Sequence, residues 1–211
     1  MDNDGQDVLS QTAGALGSKS DQPNIALAER LVRQQNVQGV SQLVAGLEGK
    51  QSLAGDCIKV LYETGCRDPH LIAPYTDRLI TLLQSKNNRL VWGAMTALGY
   101  IAPWNPGPIY ARLDIVLMAY ENGSVITVDN AISVLAELCK ADAAYEKRIA
   151  PLLLRHLQRC SAKQIPQHLE RIAICLNPGN RCSFTEAVKR RLEELSPAQK
   201  TRVERLLRKI G

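Results

Sequence analysis

The chain has 211 residues, of which 45% are hydrophobic but only 4% aromatic, and its formal net charge is +5. A core so poor in aromatic residues must be built from Leu, Ile, Val and Ala, which suits closely packed helices better than a β-sandwich. No apolar segment approaches the roughly 18–20 residues that a membrane-spanning helix requires, so we expect no association with a membrane.

The positive charge is concentrated at the C-terminal end. Residues 181–211 contain nine Lys and Arg against four Asp and Glu, whereas the first 180 residues contain 17 of each kind. A neutral body with a basic end supports nucleic-acid binding less than a basic stripe along the chain would. The six cysteines form no CxxC pair, and the N-terminus lacks the pattern of a secretory signal. We therefore expect a cytoplasmic protein with reduced cysteines.

The first part of the chain is predicted to carry little structure. Residues 1–23 are rich in small polar residues and predict a flexible N-terminal tail. Helical structure is predicted from residue 24, with Asn24 as a possible N-cap. A first helix pair follows at residues 25–35 and 39–47, where apolar residues recur at helical spacing.

From residue 53 onwards, apolar pairs recur every 37 residues. The first helix of each unit contains one such pair: Ile58 and Leu61, Met95 and Leu98, Ile132 and Leu135, and Leu169 and Ile172. A second helix repeats in the same way through Leu79, Val116 and Leu153, each copy following a turn. One of these turns, residues 103–108, is so rich in proline that we predict it to be non-helical. The recurrence predicts an all-α solenoid over residues 24–195, closed by a basic capping helix at 196–211.

One unit resembles a known repeat. The stretch NNRLVWGAMTALGYIA is similar to the HEAT repeat, whose signature reads roughly Asp-x-x-Val-Arg-x-x-Ala-x-x-Ala-Leu-Gly. Val91, Ala94, Ala97 and Leu98 occupy its apolar and small positions, while Trp92 replaces the expected Arg. The resemblance implies a right-handed α-α superhelix of about four to five HEAT-like helix pairs, and it constrains shape more than function.

The sequence contains no recognisable catalytic or metal-binding motif. No GxSxG, HExxH, Walker or GxGxxG string occurs. Cys160, Cys175 and Cys182 fall near the last turns, together with His156 and His168, but no two of these residues share the tight spacing of zinc ligands. We therefore expect no catalytic residue, no metal and no cofactor.

The aromatic residues offer a better indication of a binding surface. Seven of the nine fall between residues 62 and 120, and Trp104 lies in the proline-rich turn. An exposed Trp on a rigid loop would anchor a partner; alternatively, the ring folds back over its own helix pair. The second helices are expected to line the concave face, although their outward residues could also be plain solvated positions. The protein-binding residues predicted in this way are Trp104, Tyr110, Asp77, Asp114, Arg148, Arg155 and Arg159.

The leading hypothesis is a non-enzymatic scaffold or adaptor that binds a protein or peptide through its concave face and the Trp104 loop. The alternative is nucleic-acid binding through the basic end, with the residues Lys189, Arg190, Arg191, Lys200, Arg202 and Arg205. A third and weaker option is an accessory subunit of an enzyme, because HEAT-like subunits occur in lyases that attach bilins, but no residue here marks a chromophore pocket.

Overall fold

The computed structural model describes residues 7–210, which form twelve α-helices and contain no β-strand. Within that range, no helix has both the length and the apolar character needed to cross a bilayer. The helices are α1 (Gln22–Gln34), α2 (Val37–Gly46), α3 (Gln51–Arg67), α4 (Thr76–Leu82), α5 (Asn88–Ile101), α6 (Pro106–Ala111), α7 (Leu113–Asn122), α8 (Val125–Ala141), α9 (Ala143–Arg159), α10 (Ile165–Ile172), α11 (Arg181–Lys189) and α12 (Pro197–Ile210).

The chain forms two compact units, Met1–Asn130 and Ala131–Gly211, and the division falls within α8. In the first unit, α1, α3 and α5 pack side by side, while α2 packs on α3 and α4 packs on α5. In the second unit, α9 packs against α10 and α11, and α10 packs against α12.

The 37-residue recurrence is confirmed by burial. Every residue of the four predicted pairs, from Ile58 and Leu61 to Leu169 and Ile172, is at most 1% exposed. The second-helix positions Leu79, Val116 and Leu153 are equally buried. The same helix face is therefore covered in each helical repeat, as expected for a repeat protein whose successive helices pack on one another. The expected all-helical repeat architecture is therefore observed.

The proline-rich turn is partly helical, contrary to the sequence-based expectation. Helix α6 begins at Pro106 and includes Pro108. Proline is tolerated there because the first-turn N–H groups of a helix have no partner within the helix. Helices α6, α7 and α8 therefore follow one another as a group of three. In the preceding part of the chain, short 3₁₀ turns at 69–71 and 73–75 take the place of the first short helix, before α4 and α5. Three elements per unit are typical of armadillo repeats, whereas HEAT units have two.

Asn24 lies inside α1, which begins at Gln22, and it is not an N-cap. Its side chain is fully buried, accepts a hydrogen bond from the Ala13 N–H at 2.8 Å and donates one to Asp56 at 3.0 Å. Asp56 also accepts the Gly14 N–H at 2.8 Å. These bonds join α1 and α3 to the segment that precedes them.

That segment belongs to the predicted flexible tail. Residues 7–20 include buried Val8, Thr12 and Ala13, and Val8 donates its N–H to the Gln42 side chain on α2 at 3.0 Å. The tail is therefore packed around residues 8–13, whereas residues 14–20 are largely exposed. Its predicted flexibility at residues 1–6 lies outside the described part of the chain.

Candidate protein-binding face

Helices α3 and α5 approach each other closely because glycines lie at their contact. A Cβ atom at Gly93 would come within 2.6 Å of Ile58 Cγ1, and one at Gly55 would lie 3.1 Å from Arg89 Cδ. Only a residue without a side chain permits so short a separation of the two backbones. As a result, side chains on the outer face of α3 contact side chains on the outer face of α5. Each such contact between the two helices forms one row across them.

The first row contains two aromatic rings and a lysine. The ring centroids of Tyr62 on α3 and Trp92 on α5 are 5.7 Å apart at an interplanar angle of 51°, an arrangement that aromatic pairs favour. The Nζ atom of Lys59 lies 4.7 Å from the Tyr62 ring centroid. Both rings are partly exposed, so each keeps some surface for a partner.

Charged groups surround these rings. Glu63 accepts a hydrogen bond from Lys59 at 2.7 Å and another from Arg67 at 2.7 Å, and Arg67 reaches Glu29 on α1 at 3.0 Å. Burial works to raise the pKa of Glu63, but the hydrogen bonds from Lys59 and Arg67 outweigh it and lower the pKa. The carboxylate therefore stays ionised and fixes two cations beside Tyr62 and Trp92.

Two further rows continue along the same helices. Burial, followed by a hydrogen bond with the Cys66 thiol, raises the pKa of Tyr100 to about 12. The rings of Trp104 and His70, which follow the ends of α5 and α3, meet edge to face with their centroids 5.0 Å apart. Tyr100 lies two helical turns beyond Trp92, and Trp104 comes four residues later. We call Tyr62, Trp92, Tyr100 and Trp104 the aromatic stripe.

Trp104 is the most exposed member of the stripe, with 64% of its surface accessible. A ring folded back over its own helix pair would be buried. The Trp104 ring is instead largely open to solvent, and its ring contact is with the exposed His70. The loop thus holds a large apolar group in the position expected of an anchor, and its role in binding stays a prediction.

The other predicted protein-binding residues lie outside the stripe. Tyr110 is half-buried on α6, whereas Asp77 and Asp114 are exposed in the first turns of α4 and α7, where a carboxylate favours the helix dipole. Arg148, Arg155 and Arg159 are exposed on α9 in the second unit. The part of these residues in binding remains a prediction.

Carboxylates pair with some of the cations at the basic end. Arg191 pairs with Glu194 at 2.6 Å, Lys200 pairs with Glu193 at 2.6 Å, and Arg202 pairs with Glu170. The remaining three predicted nucleic-acid residues, Lys189, Arg190 and Arg205, are exposed. Because paired charges contribute little to the field beyond them, this end attracts a polyanion less than its sequence suggests.

Sequence reasoning missed Tyr62 as a partner of Trp92. The two residues are 30 positions apart rather than 37, so the period that aligns the core does not align them. Trp92 did stand out as a departure from the HEAT signature. The sequence does place one aromatic residue on each of two neighbouring first helices. It does not show that the two rings are in contact, because that depends on how closely the helices pack.

No family model matches this chain, and neither does any curated protein. Solved structures do match. An engineered protein superposes with a TM-score of 0.64 at 16% identity, covering 97% of each chain. A designed armadillo repeat protein in complex with a (KR)4 peptide gives a TM-score of 0.63 at 16% identity, over 96% of this chain and 99% of that one.

Computationally designed armadillo repeat proteins for modular peptide recognition give a TM-score of 0.61 at 16% identity, over 95% of this chain and 98% of that one. At such low identity the likeness shows the fold alone, which is an armadillo-type helical repeat. The narrower resemblance to the HEAT repeat stays a prediction.

Proposed function

We propose that this chain is a non-enzymatic scaffold that binds an extended segment of another protein along the aromatic stripe. The observation that carries the proposal is the two ring pairs along α3 and α5, Tyr62 with Trp92 and, just beyond the helix ends, His70 with Trp104. The Trp104 loop forms one end of this binding surface.

The chemistry of the stripe suits a protein ligand. Trp and Tyr are enriched among the residues that dominate interface energies, because they bury a large area at a small cost in side-chain entropy. Here the rings are held by neighbours on both helices, so little further ordering is required when a partner binds. A designed armadillo repeat protein of similar fold was solved in complex with the peptide (KR)4, which supports a peptide as the kind of ligand.

Length and charge limit the ligand further. The 14 residues of α5 span about 21 Å, which about six residues of an extended peptide would cover. The cations beside the stripe are already paired, Lys59 and Arg67 with Glu63, and Arg89 with Asp21 and Asp56. We therefore propose a segment that offers apolar or aromatic side chains to the rings.

Selection from a random peptide library displayed on phage tests the proposal. Peptides enriched on the wild-type chain are expected to bind Trp92→Ala and Trp104→Ala at least about 10-fold more weakly, since the loss of a central aromatic residue commonly costs 2 kcal/mol or more. Met118→Ala is the matched control, because Met118 is 55% exposed in the same unit but lies on α7.

Two results would contradict this assignment. One is a library selection that enriches no peptide over a blank surface. The other is a set of enriched peptides whose affinity falls equally for Met118→Ala and for both tryptophan variants. Circular dichroism of each variant shows whether its helices are intact before affinities are compared.

A further inference from the structure

The second unit contains three side chains whose metal-ligating atoms converge. His156 lies in the last turn of α9, Cys160 directly follows that helix, and His168 lies on α10. The ligating nitrogen and sulfur atoms of the three residues all lie within 4.8 Å of one another. His156 Nε2 and His168 Nδ1 are separated by 2.7 Å, so these two ring nitrogens are in direct contact.

Local structure explains the convergence. His156 and Cys160 are four residues apart, so the turn at the end of α9 brings both to the same side. The short connection from Ser161 to Gln164 then reverses the chain, and α10 begins at Ile165 with His168 in its first turn. The spacing H-x3-C-x7-H therefore forms one cluster only because this reversal is tight.

Two imidazole nitrogens and a thiolate form a donor set that suits zinc. Zn²⁺ is bound in proteins mainly by His nitrogen and Cys sulfur, and three protein ligands leave a fourth tetrahedral position for water or another ligand. Carboxylate-preferring cations such as Mg²⁺ and Ca²⁺ are disfavoured, because the three described side chains supply no oxygen.

The two histidine nitrogens require only a small adjustment. In a tetrahedral site with Zn–N distances near 2.0–2.1 Å, the two nitrogens would be separated by about 3.3 Å. The observed 2.7 Å separation of His156 Nε2 and His168 Nδ1 therefore has to widen by about 0.6 Å. Each ring must also carry its proton on the other nitrogen, which is the tautomer that a neutral histidine ligand adopts.

Burial gives the cluster a closed side and an open side. His168 is 0% exposed and His156 is 8% exposed, so both rings are fixed by packing. Cys160 is only half-buried, which leaves a route for a hydrated ion to enter. The fourth coordination position is expected on this open side.

Arg191 lies beside the open side. Its Nη1 atom is 4.0 Å from Cys160 Sγ and donates a hydrogen bond to the Leu157 carbonyl at 2.8 Å, while Nη2 is paired with Glu194 at 2.6 Å. Glu194 offsets the positive charge of Arg191. The guanidinium can still donate a hydrogen bond to Cys160 Sγ when that sulfur is a metal-bound thiolate. Groups that hydrogen-bond to metal ligands commonly tune affinity in this way.

We propose that His156, Cys160 and His168 bind one Zn²⁺ ion with an open fourth position. The site is independent of the aromatic stripe, which lies wholly in the first unit. Failure of peptide binding would therefore leave the metal site untouched, and the converse also holds.

The test is titration of the full chain, kept reduced with a phosphine and freed of metal by a chelator, with Zn²⁺ alone and then with Co²⁺. We expect one Zn²⁺ per chain by calorimetry. Co²⁺ should produce the visible bands of a tetrahedral ion together with a thiolate-to-cobalt charge-transfer band in the near ultraviolet. Bound Zn²⁺ should also raise the melting temperature, because the ion binds the folded chain.

Matched variants locate the site. Cys160→Ser and His156→Gln should each weaken Zn²⁺ binding by more than about 100-fold, the upper range for loss of a group that only supports a ligand. Cys160→Ser should also abolish the charge-transfer band. Cys182→Ser and His70→Gln are the controls, because both residues are exposed and lie outside the cluster.

The proposal is overturned if the wild-type chain binds no stoichiometric Zn²⁺ and shows no charge-transfer band with Co²⁺. It is equally overturned if Cys160→Ser and His156→Gln bind Zn²⁺ as tightly as the controls do, since the ion would then lie elsewhere. The wild-type spectrum with Co²⁺ does not depend on any variant, so it decides the matter even where a substitution prevents folding.

Discussion

Helices α3 and α12 are attached to the protein in contrasting ways. Nine of the 17 residues of α3 are buried, and they include the polar residues Asp56 and Thr64. Of the 14 residues of α12, Val203 is the one that is buried. Helix α12 also makes ion pairs at the surface, Arg202 with Glu170 and Lys200 with Glu193.

The difference separates two sources of stability. Burial and satisfied internal hydrogen bonds act over the whole cooperative unit, whereas exposed ion pairs are weak and are screened by salt. We therefore expect α3 to open only with global unfolding of its unit and α12 to open first. Tyr62 of the aromatic stripe lies on α3, the more firmly held of the two helices, and Trp92 packs against it from α5, as a preorganised binding face requires.

The largest expected effect is at Asp56. Replacement by Ala removes the acceptor for the Gly14 N–H and for the Asn24 amide, and it leaves the amide buried without this partner. Because an unsatisfied buried group retains its full desolvation cost, Asp56→Ala should lower the free energy of unfolding by about 3 kcal/mol. Urea denaturation measures this change, with the exposed Asp77→Ala as the control at about 0.5 kcal/mol or less. A loss below about 1 kcal/mol for Asp56→Ala would show that the cluster is not important for stability.

The next effect concerns the spacing of α3 and α5. Gly93→Ala places a methyl group against Ile58, where the ideal Cβ position lies 2.6 Å from Cγ1. Overpacking of this kind should lower the free energy of unfolding by about 2 kcal/mol. It should also change the near-ultraviolet signal of Trp92, because the rings of Tyr62 and Trp92 are then pushed apart.

Gly107→Ala is the matched control for that substitution. Gly107 lies in the first turn of α6, and a Cβ atom there would meet no heavy atom within 4 Å. Ala is the better helix former, so this change should be neutral or stabilising by up to about 1 kcal/mol. Equal destabilisation by both substitutions would mean that helix contact is not the cause.

The core of these helices could be predicted from the sequence, but the polar and aromatic clusters could not. Ile58, Met95, Ile132 and Leu169 were found because one hydrophobic period fixes which side of every helix is covered. His156, Cys160 and His168 are brought together by the tight turn between α9 and α10, which no periodicity specifies. Asn24 was misassigned as a cap, because its true partners lie 11 and 32 residues away in the chain.

A smaller effect on α3 comes from Glu63 and is visible through pH. The hydrogen bonds from Lys59 and Arg67 outweigh burial and lower the pKa of Glu63 in the folded chain. Stability from this group is therefore complete above the ordinary pKa of glutamate and is lost as the pH falls through the lowered value. Glu63→Gln should reduce stability at neutral pH by at most about 1 kcal/mol and flatten its fall in acid. An unchanged pH profile of the urea midpoint would contradict this role.

The smallest effect is expected on α12, at the pair of Arg202 with Glu170. The two side chains are 54% and 41% exposed, so water and salt screen their attraction. Arg202→Ala should lower the free energy of unfolding by about 0.5 kcal/mol or less at low salt and by less at high salt. Hydrogen exchange localises the change: amides of α12 should exchange slightly faster, while those of α3 keep their protection. A loss comparable to that of Asp56→Ala would mean that α12 is held as firmly as α3, and the contrast between the two helices would then be wrong.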